Sequence, residues 1–164
     1  MAALFRLLEE YLGKEEKKLK ENNIKLSVIG DTAELPEGVR RKLAHVIAAT
    51  SDNTGLILNI ALNYGSRGEI VMAVRSIASD LEAGKMTADT IDEGLFSRYL
   101  YTKDLPDPDL LIRTSGEFRV SNFLLWQIAY AELYVTKKLW PDFNKDDFKK
   151  AIIEYRERER RFGG

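Results

Sequence analysis

Two arginines and a serine share one short stretch of this chain, Arg113-Thr-Ser-Gly-Glu-Phe-Arg119-Val-Ser121. Planar guanidinium forks facing a hydroxyl suit a phosphate or diphosphate, because they combine charge with paired donors. A helix beginning at Ser121 would add free N–H groups and an oriented dipole to the same anion. Gly116 permits a tight loop between the two arginines. The competing arrangement is an arginine paired with Glu117 and a serine that only caps its helix. Spacing alone leaves both arrangements open.

Other chemistry-bearing residues read less sharply. Glu132 lies between Ala131 and Leu133, where a carboxylate serves more often as an edge charge or salt-bridge member than as a metal ligand. Asn63-Tyr-Gly-Ser-Arg67-Gly-Glu69 lacks the Gly-Lys-Ser/Thr ending of a phosphate-cradling loop, so it reads as a glycine turn with Ser66 near a helix cap. His45 is the only histidine, which removes any His–Ser–Asp set, and it reads as structural. Without cysteine there are no disulfides, zinc-thiolate sites or thiol nucleophiles, in keeping with a cytoplasmic location. Arg156-Glu-Arg-Glu-Arg-Arg161 reads as a solvated helix face with a local positive excess.

The elements that must position these residues follow from periodicity. Leu4, Leu8, Tyr11, Leu12 and Leu19 recur at helical spacing, ending near Asn22 and Asn23. Lys25–Gly30 reads as a short strand. Pro36 suits a first helical residue, followed by the stripe Val39, Leu43, Val46 and Ile47. Leu56–Leu62 is almost continuously apolar, which predicts a central strand covered on both faces. Ile70, Val74, Ile77 and Leu81 mark a third helix that Gly84 ends. A shorter helical stretch over 89–100 and a proline-bearing turn over 104–109 lead to a buried strand, Leu110–Arg113. Residues 121–128 read as a short helix start, and Glu132–Val135 as a last strand. Asn144 with Asp147 signals the cap of a final helix whose inner face carries Phe148, Ile152, Tyr155 and Phe162.

Alternating strands and helices over 164 residues, with no linker or repeat, predict one α/β domain, its sheet mainly parallel with helices on both faces. A formal net charge of −1 provides no global field for nucleic acid or acidic membrane. No apolar run approaches the roughly eighteen residues of a membrane span, and the first residues lack the pattern of a signal peptide.

Asp107-Pro-Asp-Leu-Leu-Ile-Arg-Thr-Ser-Gly-Glu, running on through Ser-Asn-Phe-Leu-Leu-Trp-Gln-Ile-Ala-Tyr-Ala-Glu132, resembles the C-terminal signature of the cis-prenyltransferases, the undecaprenyl diphosphate synthases. Leu139-Trp-Pro-Asp-Phe143, Arg160-Arg-Phe-Gly-Gly164, Asn59-Ile-Ala-Leu-Asn-Tyr-Gly65 with Arg67, and Ile29-Gly-Asp31 extend the likeness over essentially the whole chain. The resemblance implies repeated addition of isopentenyl diphosphate to an allylic, farnesyl-type diphosphate, with Mg2+ as cofactor. It further implies a homodimer and a peripheral membrane contact made through the lipid product. By position it assigns Arg113, Arg119, Val120 and Ser121 to the isopentenyl diphosphate and Glu132 to the metal.

Two departures accompany the likeness. Phe118 stands where many members carry a polar or basic residue. The family's Asp-Gly-Asn-Gly-Arg-Trp loop, which provides the catalytic aspartate, and its Ser-Thr-Glu-Asn-Trp motif do not occur in these 164 residues. The resemblance therefore implies a fold missing its first strands and helices and a chain inactive alone, whether as an expressed fragment, through a start codon assigned too late, or as a natural truncation. A non-catalytic partner subunit and a plain diphosphate-binding module are the alternatives.

Overall fold

The structure is a computed structural model that describes residues 2–158. It is α/β, with both of its strand pairs parallel. Backbone contacts group the chain into two compact units, residues 1–101 and 102–164.

In the first unit, helix α1 (Ala2–Glu21) leads to strand β1 (Lys25–Ile29), helix α2 (Glu37–Ala49), strand β2 (Ile57–Ala61) and helix α3 (Ser66–Glu82). Leu12 and Leu19 from α1, Leu26 from β1, and Val39, Leu43 and Val46 from α2 meet with Leu35 in one buried cluster. Each full burial of such a side chain is worth about 1.5–3 kcal/mol, so this cluster is what fastens the two helices to the strand. Pro36 is the residue just before α2 rather than its first turn. Gly84, at φ +67°, ends α3 in the left-handed conformation that favours glycine. Its own N–H donates to the Leu81 carbonyl and that of Lys85 to the Asp80 carbonyl.

Strands β1 and β2 pair in register from Lys25 with Ile57 to Ile29 with Ala61. The expected two-sided cover of the Leu56–Leu62 run does not hold: Leu56, Ile57 and Leu58 are 66%, 44% and 41% exposed. Among the described residues β2 has β1 as its one strand neighbour. Apolar sequence records what a strand can bury, not what lies against it. Val74, expected on the inner face of α3, is also exposed, while Ala73 and Ile77 are buried. The stretch over 89–100 resolves into a 3-10 turn, Ala88–Thr90, and the short helix α4 (Glu93–Ser97), whose cap is Asp92 accepting from the Leu95 N–H.

The second unit is built on strands β3 (Leu110–Arg113) and β4 (Glu132–Val135), followed by helix α5 (Lys145–Glu157). Leu110 pairs with Glu132 and Arg113 with Val135. Every residue of β3 is half-buried rather than buried. Asn144 and Asp147 form the expected capping box. Lys138 adds an ion pair to Asp147 at 2.7 Å, which with the Asn144 N–H holds that carboxyl below its ordinary range. Phe148 is half exposed and Ala151 is the buried apolar residue of α5. Phe162 lies outside the described residues.

The expected helix start at Ser121–Ile128 is absent. These residues form successive turns, with Ser121, Asn122 and Leu124 at φ +49°, +61° and +48°. Left-handed backbone at non-glycine residues breaks the right-handed hydrogen-bond ladder, so no α-helix can propagate through them.

Candidate functional site

The loop after β3 is held by the residues that follow β4. The Ser115 N–H donates to the Lys138 carbonyl at 2.7 Å and the Gly116 N–H to the Thr136 carbonyl at 2.8 Å. Gly116 and Ser115 are both left-handed, at φ +67° and +66°, which makes the turn tight enough to return the chain. Such backbone at non-glycine residues costs about 1–3 kcal/mol each and persists where surrounding structure imposes it.

This turn brings Ser121 back to Arg113. Arg113 Nη2 donates to Ser121 Oγ at 3.2 Å, while Arg113 Nε is buried without a hydrogen-bond partner. Arg119 instead pairs with Glu117 and is largely exposed. Each arginine thus realises a part of one sequence arrangement, Arg113 facing the hydroxyl and Arg119 paired with Glu117. Ser121 caps no helix, so the expected free N–H groups of a helix N-terminus are not part of this site. Val120 contributes backbone, its carbonyl accepting from the Phe123 N–H at 3.0 Å. Phe118 is 82% exposed at the loop tip.

Glu132 is not gathered into this group. It begins β4 opposite Leu110, three residues along the pair from Arg113, or about 10 Å at strand rise. It borders a cleft of about 140 Å³ shared with Asp107, Asp109, Gln127 and Tyr155. Its carboxylate accepts from Arg158 Nη1 at 2.9 Å. Arg158 also reaches the Leu133 carbonyl at 3.0 Å and Glu154. Glu132 first, then Glu154, raise the guanidinium's pKa above its ordinary value. Sequence reasoning named Glu132 and missed its partner. The spacing of Glu154 and Arg158, one helical turn apart, was the available signal.

A magnesium ion usually keeps several waters and takes one or two carboxylates plus substrate phosphates. No group of three or more histidine, aspartate or glutamate side chains suited to a metal occurs among the described residues. Glu132 shares its cleft with Asp107 and Asp109, and its carboxylate is a salt-bridge member through Arg158, the alternative its sequence setting offered.

In the first unit, the loop after β2 is also more than a glycine turn. Glu69 is 1% exposed, accepting from the Tyr64 hydroxyl at 2.6 Å and the Tyr101 N–H at 2.8 Å. Burial first, then Asp31 and Glu69, raise the Tyr101 phenol's pKa. The Asp31 N–H donates to the Asn63 carbonyl and the Asn63 amide to the Asp31 carbonyl, which ties the carboxyl ends of β1 and β2 together. His45 faces Glu16 at 3.2 Å on the helical side of the unit. No helix among the described residues is long and apolar enough to cross a membrane.

Comparison with known proteins matches residues 1–163 to the prenyltransferase family model described as undecaprenyl diphosphate synthase. An isoprenyl transferase of Heliobacterium mobile is 56% identical over 162 residues, covering 99% of this chain and 62% of its own length. One of Clostridium perfringens is 48% identical, covering 99% and 64%. The chain thus spans less than two thirds of these curated relatives. Among solved structures, lavandulyl diphosphate synthase from Lavandula x intermedia, in complex with dimethylallyl diphosphate, superposes with TM-score 0.95 at 40% identity, covering 98% of this chain and 70% of that one. A probable undecaprenyl diphosphate synthase from Campylobacter jejuni gives TM-score 0.85 at 36% identity, covering 99% and 74%.

Proposed function

The chain belongs to the undecaprenyl diphosphate synthase family of prenyltransferases, and on that premise we propose that Arg113, Arg119, Val120 and Ser121 bind isopentenyl diphosphate for condensation with a farnesyl-type allylic diphosphate. The observation that carries this reading is the Arg113–Ser121 contact in a strained strand-end loop, with one guanidinium N–H buried and unsatisfied. An unsatisfied buried donor costs about 1–3 kcal/mol, which an incoming phosphate oxygen relieves. Arg119 exchanges Glu117 for the same anion, and Ser121 offers its hydroxyl beside Arg113. Glu132 holds the magnesium ion that accompanies the diphosphate. That ion, when bound, supplies positive charge against the diphosphate oxygens. A homodimer in the cytoplasm, touching membrane through its polyprenyl product, completes the reading.

Ionisation of an allylic diphosphate needs donors and carboxylates placed against the leaving group in the transition state. The 164 residues contain no Asp-Gly-Asn-Gly-Arg-Trp string to supply them, so this polypeptide by itself is expected to bind isopentenyl diphosphate without elongating a primer. Calorimetric titration of isopentenyl diphosphate tests the first half. Arg113→Ala and Arg119→Ala should each weaken binding roughly ten- to a hundredfold, and equal affinities across the set would end the assignment. Labelled isopentenyl diphosphate, assayed for incorporation into butanol-extractable lipid with Mg2+ and farnesyl diphosphate, tests the second. Robust incorporation would place the catalytic group inside these residues.

A further inference from the structure

Arg158 makes three contacts, two at the start of β4 and one within α5. Its Nη1 donates both to Glu132 Oε2 at 2.9 Å and to the Leu133 carbonyl at 3.0 Å, and its Nη2 pairs with Glu154. Glu154 and Arg158 belong to the last turn and cap of α5, so one guanidinium joins the end of that helix to the strand bearing Glu132. The Arg158 and Glu132 side chains are 30% and 31% exposed, which leaves the pair accessible to an ion from solvent. A guanidinium and a divalent cation cannot both bond the same carboxylate oxygen without strong repulsion between them.

We propose that Arg158 is a latch on Glu132: it occupies Oε2 of the carboxylate in the free chain, and a divalent cation that takes that oxygen must displace it. This rests on the reading of Glu132 as a metal ligand. Displacement frees the guanidinium from the Leu133 carbonyl at the same time, so metal entry loosens the end of α5 from β4. Arg158 is in this sense a positioning residue, acting through Glu132.

The test uses the whole chain and Mn2+ alone, with binding followed by loss of the free-ion electron paramagnetic resonance signal. Arg158→Gln removes the competing charge and should tighten Mn2+ binding roughly two- to fivefold, the range expected for a partly exposed pair. Arg158→Lys, whose single ammonium cannot span the three acceptors, should fall between. A purely structural role for Arg158 predicts weaker binding in both variants, which would overturn the latch. In amide exchange of the wild-type chain, Mg2+ should reduce protection over 154–158, and Glu132→Gln should abolish that response. Unchanged protection would also overturn it. Adding Glu132→Gln to the Arg158→Gln chain separates the two ideas. If the double variant binds Mn2+ as well as Arg158→Gln does, Glu132 is no ligand and both fall. If Glu132→Gln weakens binding while Arg158→Gln leaves it unchanged, only the latch falls.

Discussion

The two parallel strand pairs of this chain solve different problems. The β1–β2 pair packs against Leu12 and Leu19 of α1 and Val39, Leu43 and Val46 of α2, all buried, and its hydrogen-bonded bridges, such as the Asn53 amide on the Leu19 and Ile24 carbonyls, serve packing. In the second pair, β3 is half-buried and ends at Arg113, and the loop that follows it carries left-handed residues and Arg119. A run of left-handed residues and an unsatisfied buried donor lie in the second unit, while the apolar core cluster belongs to the first. One unit is organised around a buried apolar core, the other around the loop proposed to bind diphosphate.

That contrast is most easily broken at Leu26, 1% exposed in the core cluster. Leu26→Ala should destabilise the chain by about 2–5 kcal/mol in chemical denaturation. A loss under 1 kcal/mol would mean that the cluster is not the anchor. At Arg113 the pattern inverts: Arg113→Ala should leave the denaturation midpoint within experimental scatter while weakening diphosphate binding. Loss of folding there would turn the arginine into a core residue.

Smaller effects sharpen the comparison. Asn144→Ala removes the side-chain cap of α5 and should cost about 1 kcal/mol. Ser121→Gly relieves left-handed strain but also frees the unfolded chain, so stability should change by less than about 1 kcal/mol, while diphosphate affinity falls with the lost hydroxyl. A large destabilisation would show that the hydroxyl holds the loop together. The smallest effect concerns acid. Because Lys138 holds the Asp147 carboxyl below its ordinary value of 3.8, the native state binds that proton less readily than the unfolded chain. The resulting stability is present above pH 3.8 and fades as pH falls through the lower native value. Asp147→Asn should flatten that part of the acid-unfolding curve; an unaltered curve would assign it to other carboxylates.

Periodicity made α1, α2 and α3 legible, because a buried stripe such as Val39, Leu43 and Val46 repeats at the pitch of a helix. The Asn144–Asp147 cap was legible because its chemistry is local. What failed depended on neighbours that sequence order does not give. The Leu56–Leu62 run could not announce its exposed side, and the apolar residues after Ser121 gave no sign of left-handed backbone. Within the site, Arg113 and Ser121 met as their types suggested. Arg119 with Glu117 was an open alternative, and Arg158 with Glu132 joins residues 26 positions apart. Glu69 was quoted only as the end of a loop; its burial between Tyr64 and Tyr101 depends on a residue 32 positions away.

Thr50, fully buried at the end of α2, has a consequence for how the first unit opens. Its hydroxyl donates to the Val46 carbonyl at 2.9 Å and accepts from the Leu26 N–H at 3.1 Å. The first buried amide of β1 is therefore satisfied by a side chain whose own proton is committed to a helix. Leu26 cannot exchange its amide hydrogen with water unless the last turn of α2 lets Thr50 move. Strand entry and helix exit thus share one opening event, and the edge of β1 inherits the breathing rate of α2.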